Sequence, residues 1–346
     1  MTHFWVRHEP RPNEARVGVT PQGVAALMAA GHQVTVEDDP TRAIVVDGYR
    51  ETGAGIVPAG SWVDAPKNAL ICGLKELPDD GTPLVHRHVM FGHAYKGQAD
   101  GAVLLERFRV GGGTLLDLEY LTEASGRRVA AFGVWAGFAG AAVSLIGWAS
   151  AQSGKTCPEA RTVSSADAMT DVVREALGGL KPSVIVIGAL GRVGSGARDL
   201  CERLGLEVTA WDMAETASGG TFPEILAHDV FLNCILASPG GPVCVPKNAL
   251  AEDRRLQMIG DIACDPSSDF SPIKVYDRTT SWGDPILRVQ DTPVLDVMAI
   301  DNLPSMLPRE ASEDFAGQLL PHLLAFESDP GRVWARAVDI FRTHMA

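Results

Sequence analysis

The stretch Val184-Ile185-Val186-Ile187-Gly188-Ala189-Leu190-Gly191-Arg192-Val193-Gly194 decides the fold. Four β-branched apolar residues in a row suit a strand buried on both faces, the habit of a parallel sheet. The glycines that follow let the chain turn tightly and approach a pyrophosphate. A helix opening near Val193 then aims its free N–H groups at the phosphates. The next strand, Glu207-Val208-Thr209-Ala210-Trp211, ends on Asp212, whose carboxylate can accept from both ribose hydroxyls. The spacing is not G-x-G-x-x-G, since Leu190 holds the middle position, so the glycines alone say little. Strand, turn, helix and acid in this order predict a dinucleotide site. The bland alternative is a tight strand–helix turn that binds nothing.

The alternation extends in both directions. Further strands are expected near 230–235, 258–262 and 294–299. Upstream, Thr20-Pro21 reads as an N-cap followed by proline at the first helical position, and Gly31 stops that helix. Val34-Thr35-Val36, Ala69 to Leu74, Val89-Met90-Phe91 and Thr114 to Leu118 read as strands with helical stretches between them. The first 130 residues therefore predict a second parallel sheet in an α/β protein. From Val129 to Gly154 no residue is charged, which is long enough to span a bilayer. The glycines and alanines in it fit a closely packed core helix better, so no membrane partner is expected. A polar, loop-like region follows around Ser150 to Ala166. The tail from Ala311 to Met345 is expected to be helical, broken at Pro321 and Pro330, and packed back on the first domain.

At 346 residues the chain has room for two domains, and 46% hydrophobic with 21% charged residues describes a globular protein. A net charge of −13 argues against nucleic acid, and it requires that an anionic ligand be caught by a local cluster of arginine and lysine. The six cysteines show neither C-x-x-C nor a histidine spacing that would hold zinc, so no metal is expected. Reduced core thiols in a cytoplasm are the plain reading. Neither a signal region nor a sorting tripeptide is recognisable.

Open parallel sheets bind ligands outside the carboxyl ends of their strands, where Lys75, His93 and Glu119 all fall. A buried lysine and an imidazole are suited to proton transfer near neutrality. Taken singly, each also reads as an ordinary strand-end or loop residue. His86 and His88, alternating in one strand, read as surface or core polar residues rather than ligands.

Longer motifs carry a family resemblance. Arg16-Val17-Gly18-Val19-Thr20-Pro21 resembles the opening motif of the alanine dehydrogenase and saccharopine dehydrogenase superfamily. Gly73-Leu74-Lys75-Glu76-Leu77-Pro78, Phe91 to Gln98, Gly126 to Gly133, Gly188 to Gly194 and Asp301 to Ser312 are similar to the NAD-dependent, lysine-forming saccharopine dehydrogenases, nearly end to end. The resemblance implies two Rossmann-like domains with the active site in the cleft between them. These are a substrate-binding, catalytic domain at 1–133 and 307–346 and an NAD-binding Rossmann domain at 134–306. It implies a monomeric, cytoplasmic enzyme of amino-acid metabolism (lysine biosynthesis) that oxidises saccharopine with NAD to lysine and 2-oxoglutarate.

By the same resemblance, Lys75 and His93 match the acid–base pair, and Glu76 and Glu119 match acidic neighbours that tune Lys75. Their charge favours protonated lysine and burial opposes it; the sequence leaves the outcome open. Arg16, Gln98, Arg128 and Phe132 match substrate-binding positions, and the fork of arginine suits a substrate with three carboxylates. Arg127, Gly191, Arg192, Asp212, Thr216, Leu236, Ile262 and Asp301 match cofactor positions. Met213 and Ala214 follow Asp212, so no adjacent arginine awaits a 2′-phosphate, which favours NAD over NADP. The sequence departs from the family pattern at Asn302, at Ala263-Cys264-Asp265 and over Asp265 to Trp282. A related opine or amino-acid dehydrogenase with another amine and keto acid, alanine dehydrogenase included, stays open, although Arg128 tilts against simple deamination. A nucleotide-binding sensor without catalysis is the rival from another class, and the joint presence of Lys75, His93 and the nucleotide loop counts against it.

Overall fold

The structure, a computed structural model, describes residues 1–11, 13–95, 99–236 and 238–345. The chain divides into two units, Met1–Ala131 with Pro308–Ala346, and Phe132–Leu307.

The first unit opens with β1 (His3–Val6), α1 (Pro21–Ala29), β2 (Gln33–Glu37), α2 (Val46–Arg50) and β3 (Gly55–Val57). It continues with β4 (Leu70–Cys72), β5 (Arg87–Met90), α3 (Ala99–Gly111) and β6 (Thr114–Asp117). The sheet order is β3-β2-β1-β4-β5-β6 and every pairing is parallel. Thr20 caps α1 by accepting from the Gly23 N–H at 3.3 Å. The sequence reading did not mark β1, yet this fully buried strand is central, paired with both β2 and β4. His3 disguises it, a polar residue buried against the Thr35 hydroxyl at 2.9 Å. The strand order reverses between β1 and β4, the kind of switch point at which open sheets bind ligands.

The second unit holds α4 (Gly133–Gln152), α5 (Ala166–Leu177), β7 (Val184–Ile187), α6 (Arg192–Arg203) and β8 (Val208–Trp211). After these come α7 (Pro223–Leu226), β9 (Val230–Asn233), β10 (Met258–Asp261), β11 (Leu287–Asp291) and β12 (Val294–Met298). Its order is β11-β12-β10-β9-β7-β8, parallel except for the edge strand β11, which the sequence reading missed and which pairs antiparallel with β12. Strand order again switches direction, between β7 and β9.

Helix α4 has the length and composition of a membrane span, but 67% of its most apolar window is buried inside the unit. Its glycines explain the packing. A Cβ on Gly137 would lie 1.8 Å from the Val193 carbonyl oxygen, and one on Gly196 1.8 Å from that of Val134. The backbones of α4 and α6 therefore touch, which seats the helix that follows the glycine loop. Gly137→Ala is expected to destabilise the protein by about 2 kcal/mol or more, because the clash is with backbone that cannot rotate away. Thermal unfolding checks this, and an unchanged melting temperature would contradict the crossing.

The chain then returns to the first unit as α8 (Pro308–Leu324) and α9 (Val333–Met345). The expected break at Pro321 does not occur; α8 runs through it. Pro321 and Gly317 lie on the exposed side, so water can satisfy the carbonyl that loses its partner, while Phe315, Leu319 and Leu323 stay buried. The interruption falls between Leu324 and Val333, around Pro330. Ser312 on α8 accepts from the Val17 N–H at 2.9 Å and so braces the segment that carries Arg16.

Candidate active site

In the first sheet the carboxyl ends of β1, β4, β5 and β6 lead into Glu9, Lys75, His93 and Glu119 along one edge. Lys75 is half-buried, and its environment resolves the competition that the sequence left open. Burial lowers its pKa, with help from the Arg16 and Arg11 charges, and the carboxylates of Glu14 and Glu76 do not reverse this. Glu14 escaped the sequence reading. It pairs in bidentate fashion with Arg16, at 2.8 Å to Nε and 2.6 Å to Nη2. Burial alone raises the Glu14 carboxyl, but the Arg16 hydrogen bonds and charge, with that of Lys75, hold it below its usual range. The signal for it was the i, i+2 spacing to Arg16.

The backbone at Lys75 is held from below. Glu9 accepts from the Leu74 N–H at 2.7 Å and the Lys75 N–H at 2.9 Å, and the Arg7 guanidinium donates to the Lys75 carbonyl. Burial pushes the Glu9 carboxyl up, against the opposing pull of Arg7 and those N–H donors.

His93 has a left-handed backbone, φ 48°, and stacks on Phe91 with 17° between the rings. Its Nε2 lies 3.2 Å from a Glu76 oxygen and its Nδ1 3.9 Å from a Glu119 oxygen. Glu76 thus touches His93 as well as acting on Lys75. Glu119 comes to lie beside His93 because β6 follows β5 in the sheet. A cavity of about 420 Å³ opens at this edge, lined by Arg11, Glu76, Asp79, Gly92, His93 and Asp100 among others.

Arg128 is half-buried in a short antiparallel bridge with Thr122. Its neighbour Arg127 is exposed and paired with Glu123 at 2.9 Å. Phe132 stands at the N-cap of α4, in the second unit. Gln98 lies outside the described residues.

In the second unit the glycine loop follows β7. Gly188 has φ 84°, and the Gly188 and Ala189 N–H groups donate to the Trp211 carbonyl at 2.9 and 3.0 Å, tying the loop to β8. Gly191 is the N-cap of α6 and Arg192 its first residue. A Cβ on Gly194 would lie 2.1 Å from the Gly188 carbonyl oxygen, so strand end and helix pack too closely for any side chain there. Asp212 accepts from the Leu190 and Met213 N–H groups, each at 2.9 Å, and retains lone pairs for hydroxyl donors. Glu215, also unforeseen, accepts from the Asp212 N–H at 2.8 Å and adds a second carboxylate. Thr216 donates its hydroxyl to the Asp212 carbonyl at 2.9 Å and closes that turn. These features fit NAD: a cradle with no room for a Cβ, a twelve-residue helix starting on it, and two acids at the neighbouring strand end.

Leu236, Ile262 and Asp301 follow β9, β10 and β12, so they share the carboxyl edge with the loop. Beneath Ile262, buried Asp261 accepts from the Tyr276 hydroxyl at 2.6 Å and the Asn233 amide at 2.8 Å. Burial raises its carboxyl pKa. Tyr276 belongs to the stretch that departs from the family motifs, and it supports the floor of the nucleotide edge.

The architecture matches solved dehydrogenase folds. An L-alanine dehydrogenase superposes with a TM-score of 0.68 at 17% identity, covering 99% of this chain and 94% of that one. A transhydrogenase from Sinorhizobium meliloti gives 0.60 at 18% identity, covering 93% and 92%. Residues 5–139 match the family model of the alanine dehydrogenase/PNT N-terminal domain. The fold is therefore that of the alanine dehydrogenase and transhydrogenase class. Sequence narrows the class. The NAD(+), L-lysine-forming saccharopine dehydrogenase of Candida glabrata is 43% identical over 99% of this chain and 96% of its own length. Its namesake from Candida albicans is 42% identical over the same shares, and that of Schizosaccharomyces pombe 40% over 99% and 98%. The chain belongs to the family of NAD-dependent, L-lysine-forming saccharopine dehydrogenases.

Proposed function

We infer that the protein is an NAD-dependent oxidoreductase that cleaves saccharopine to L-lysine and 2-oxoglutarate and, in reverse, condenses them reductively. Full-length kinship with the lysine-forming enzymes carries this reading. When bound, NAD supplies a two-electron acceptor for the substrate carbon attached to the secondary amine. Oxidation there leaves an imine, water adds to it, and proton transfers expel the lysine amine. Those steps need a base and an acid that exchange roles. Lys75, held below the ordinary lysine range, gives up and takes back its proton more readily than a free lysine does. His93, flanked by Glu76 and Glu119, is its partner. Arg16, Arg128, Gln98 and Phe132 bind the substrate. Glu14 holds the Nε and Nη2 edge of Arg16 and so fixes the orientation of its guanidinium group.

Residues 1–131 with 308–346 form the substrate-binding unit, and 132–307 carry NAD through Gly191, Arg192, Asp212, Thr216, Leu236, Ile262 and Asp301. Arg127, on an exposed turn of the first unit, also serves the cofactor. All six cysteines are free, which supports action in a reducing cytoplasm. The decisive assay screens amine and keto-acid pairs by loss of NADH absorbance. Lysine with 2-oxoglutarate is expected to give the highest rate, and a clear preference for another pair would overturn the assignment.

Asp212→Ala is expected to weaken NADH binding and to improve the relative use of NADPH, because a carboxylate there repels a 2′-phosphate. Glu215 keeps part of that repulsion, so Asp212→Ala with Glu215→Ala should shift the preference further. Dissociation constants for the two nucleotides test this; a wild-type enzyme that prefers NADPH would contradict it.

A further inference from the structure

We propose that Arg7 and Glu9, the buried ion pair just beyond β1, are positioning residues that clamp the backbone of Lys75. The proposal rests on Lys75 being an acid–base group of the reaction. Both side chains are nearly inaccessible, at 1% and 3% exposure, and Arg7 Nη1 lies 3.4 Å from Glu9 Oε2. The pair grips the peptide groups on both sides of one residue. Glu9 takes the N–H groups of Leu74 and Lys75 on its two oxygens, and Arg7 Nη2 donates to the Lys75 carbonyl. Gly73 makes this possible, since a Cβ there would lie 2.4 Å from Arg7 Cζ.

The clamp is itself braced. The Glu9 N–H donates to Asp39 at 3.2 Å, and Arg42 donates to the Arg7 carbonyl at 2.7 Å and to the Glu37 carbonyl at 2.8 Å. A buried ion pair is weak evidence of stabilisation, because desolvation offsets its attraction. Directional bonds that converge on the peptide of one acid–base residue are what precise placement requires. Placement matters here because the Lys75 amine responds to burial and to the charges of Arg16, Glu14, Glu76 and Arg11, all of which change with distance.

The test introduces Glu9→Gln and Arg7→Lys, each in the wild-type enzyme and in Lys75→Met, with thermal melts to verify folding. In the wild-type background each should lower kcat about tenfold while KM for NAD stays within about twofold. The limb of the pH profile that belongs to Lys75 should move to higher pH, because a loosened backbone admits water and relieves the burial that lowers it. In the Lys75→Met background neither substitution should lower kcat further, since the two sites act as one unit. Equal losses in both backgrounds, or a loss with an unmoved pH limb, would overturn the clamp alone. Failure of both variants to fold would make the pair a determinant of the fold and overturn it too. Full turnover by Lys75→Met on its own would overturn the reading of Lys75, and the clamp with it.

Discussion

With lysine and NADH as co-substrates, 2-oxoglutarate is expected to outperform pyruvate by about 10²-fold or more in kcat/KM. The dicarboxylic acid presents a distal carboxylate that pyruvate lacks, and a half-buried arginine discriminates strongly for a charge that it can pair. Arg128 is the residue assigned to it. Its backbone is pinned to Thr122 in a short antiparallel bridge, and Arg127 beside it is exposed and paired with Glu123. Residues adjacent in an extended segment leave on opposite sides, so the two arginines are not interchangeable. Arg128→Ala should remove most of the advantage by raising KM for 2-oxoglutarate and leave the poor rate with pyruvate unaltered. Ammonia should substitute badly for lysine, because it leaves the amino-acid subsite empty. Steady-state kinetics with the four combinations decides the matter. Efficient reductive amination of pyruvate by ammonia would assign the activity to amino-acid dehydrogenation instead.

Lys75→Met and His93→Gln should each lower turnover by roughly 10²-fold, the usual scale for losing one acid–base group. NADH affinity should hardly change, because the glycine loop and Asp212 belong to the second sheet. The pH profile supplies a sharper check. Burial lowers the Lys75 pKa, so its neutral form appears at lower pH than that of a free lysine. The limb of the kcat profile that Lys75→Met abolishes should therefore fall below the ordinary lysine range. Wild-type turnover in both variants would remove Lys75 and His93 from the chemistry.

Some of this protein is written locally in its sequence. The run Val184 to Ile187, the glycines after it and Asp212 beyond the next strand form a strand–turn–helix–strand unit whose meaning needs no distant partner. The placement of Lys75 and His93 just past apolar strand runs is equally local, since parallel strands present their carboxyl ends to a common edge. Other features depend on elements that lie far apart in the chain. Residues 3–6 look unremarkable in order, yet β1 lies beside β4 and so carries Arg7 and Glu9 beneath Lys75. Glu119 faces His93 because β6 is the next strand after β5, an adjacency that no spacing reveals. Pro321 stays helical because it falls on the solvent side of α8, and that side exists only once the apolar face is packed. Residue types, periodicity and strand-end position were determined by the sequence alone, because they arise from backbone sterics and apolar patterning over a few residues. The protonation bias of Lys75, its clamp and the partner of each carboxylate were decided by tertiary structure. Burial and Coulomb interactions depend on distance through space, which strand order sets.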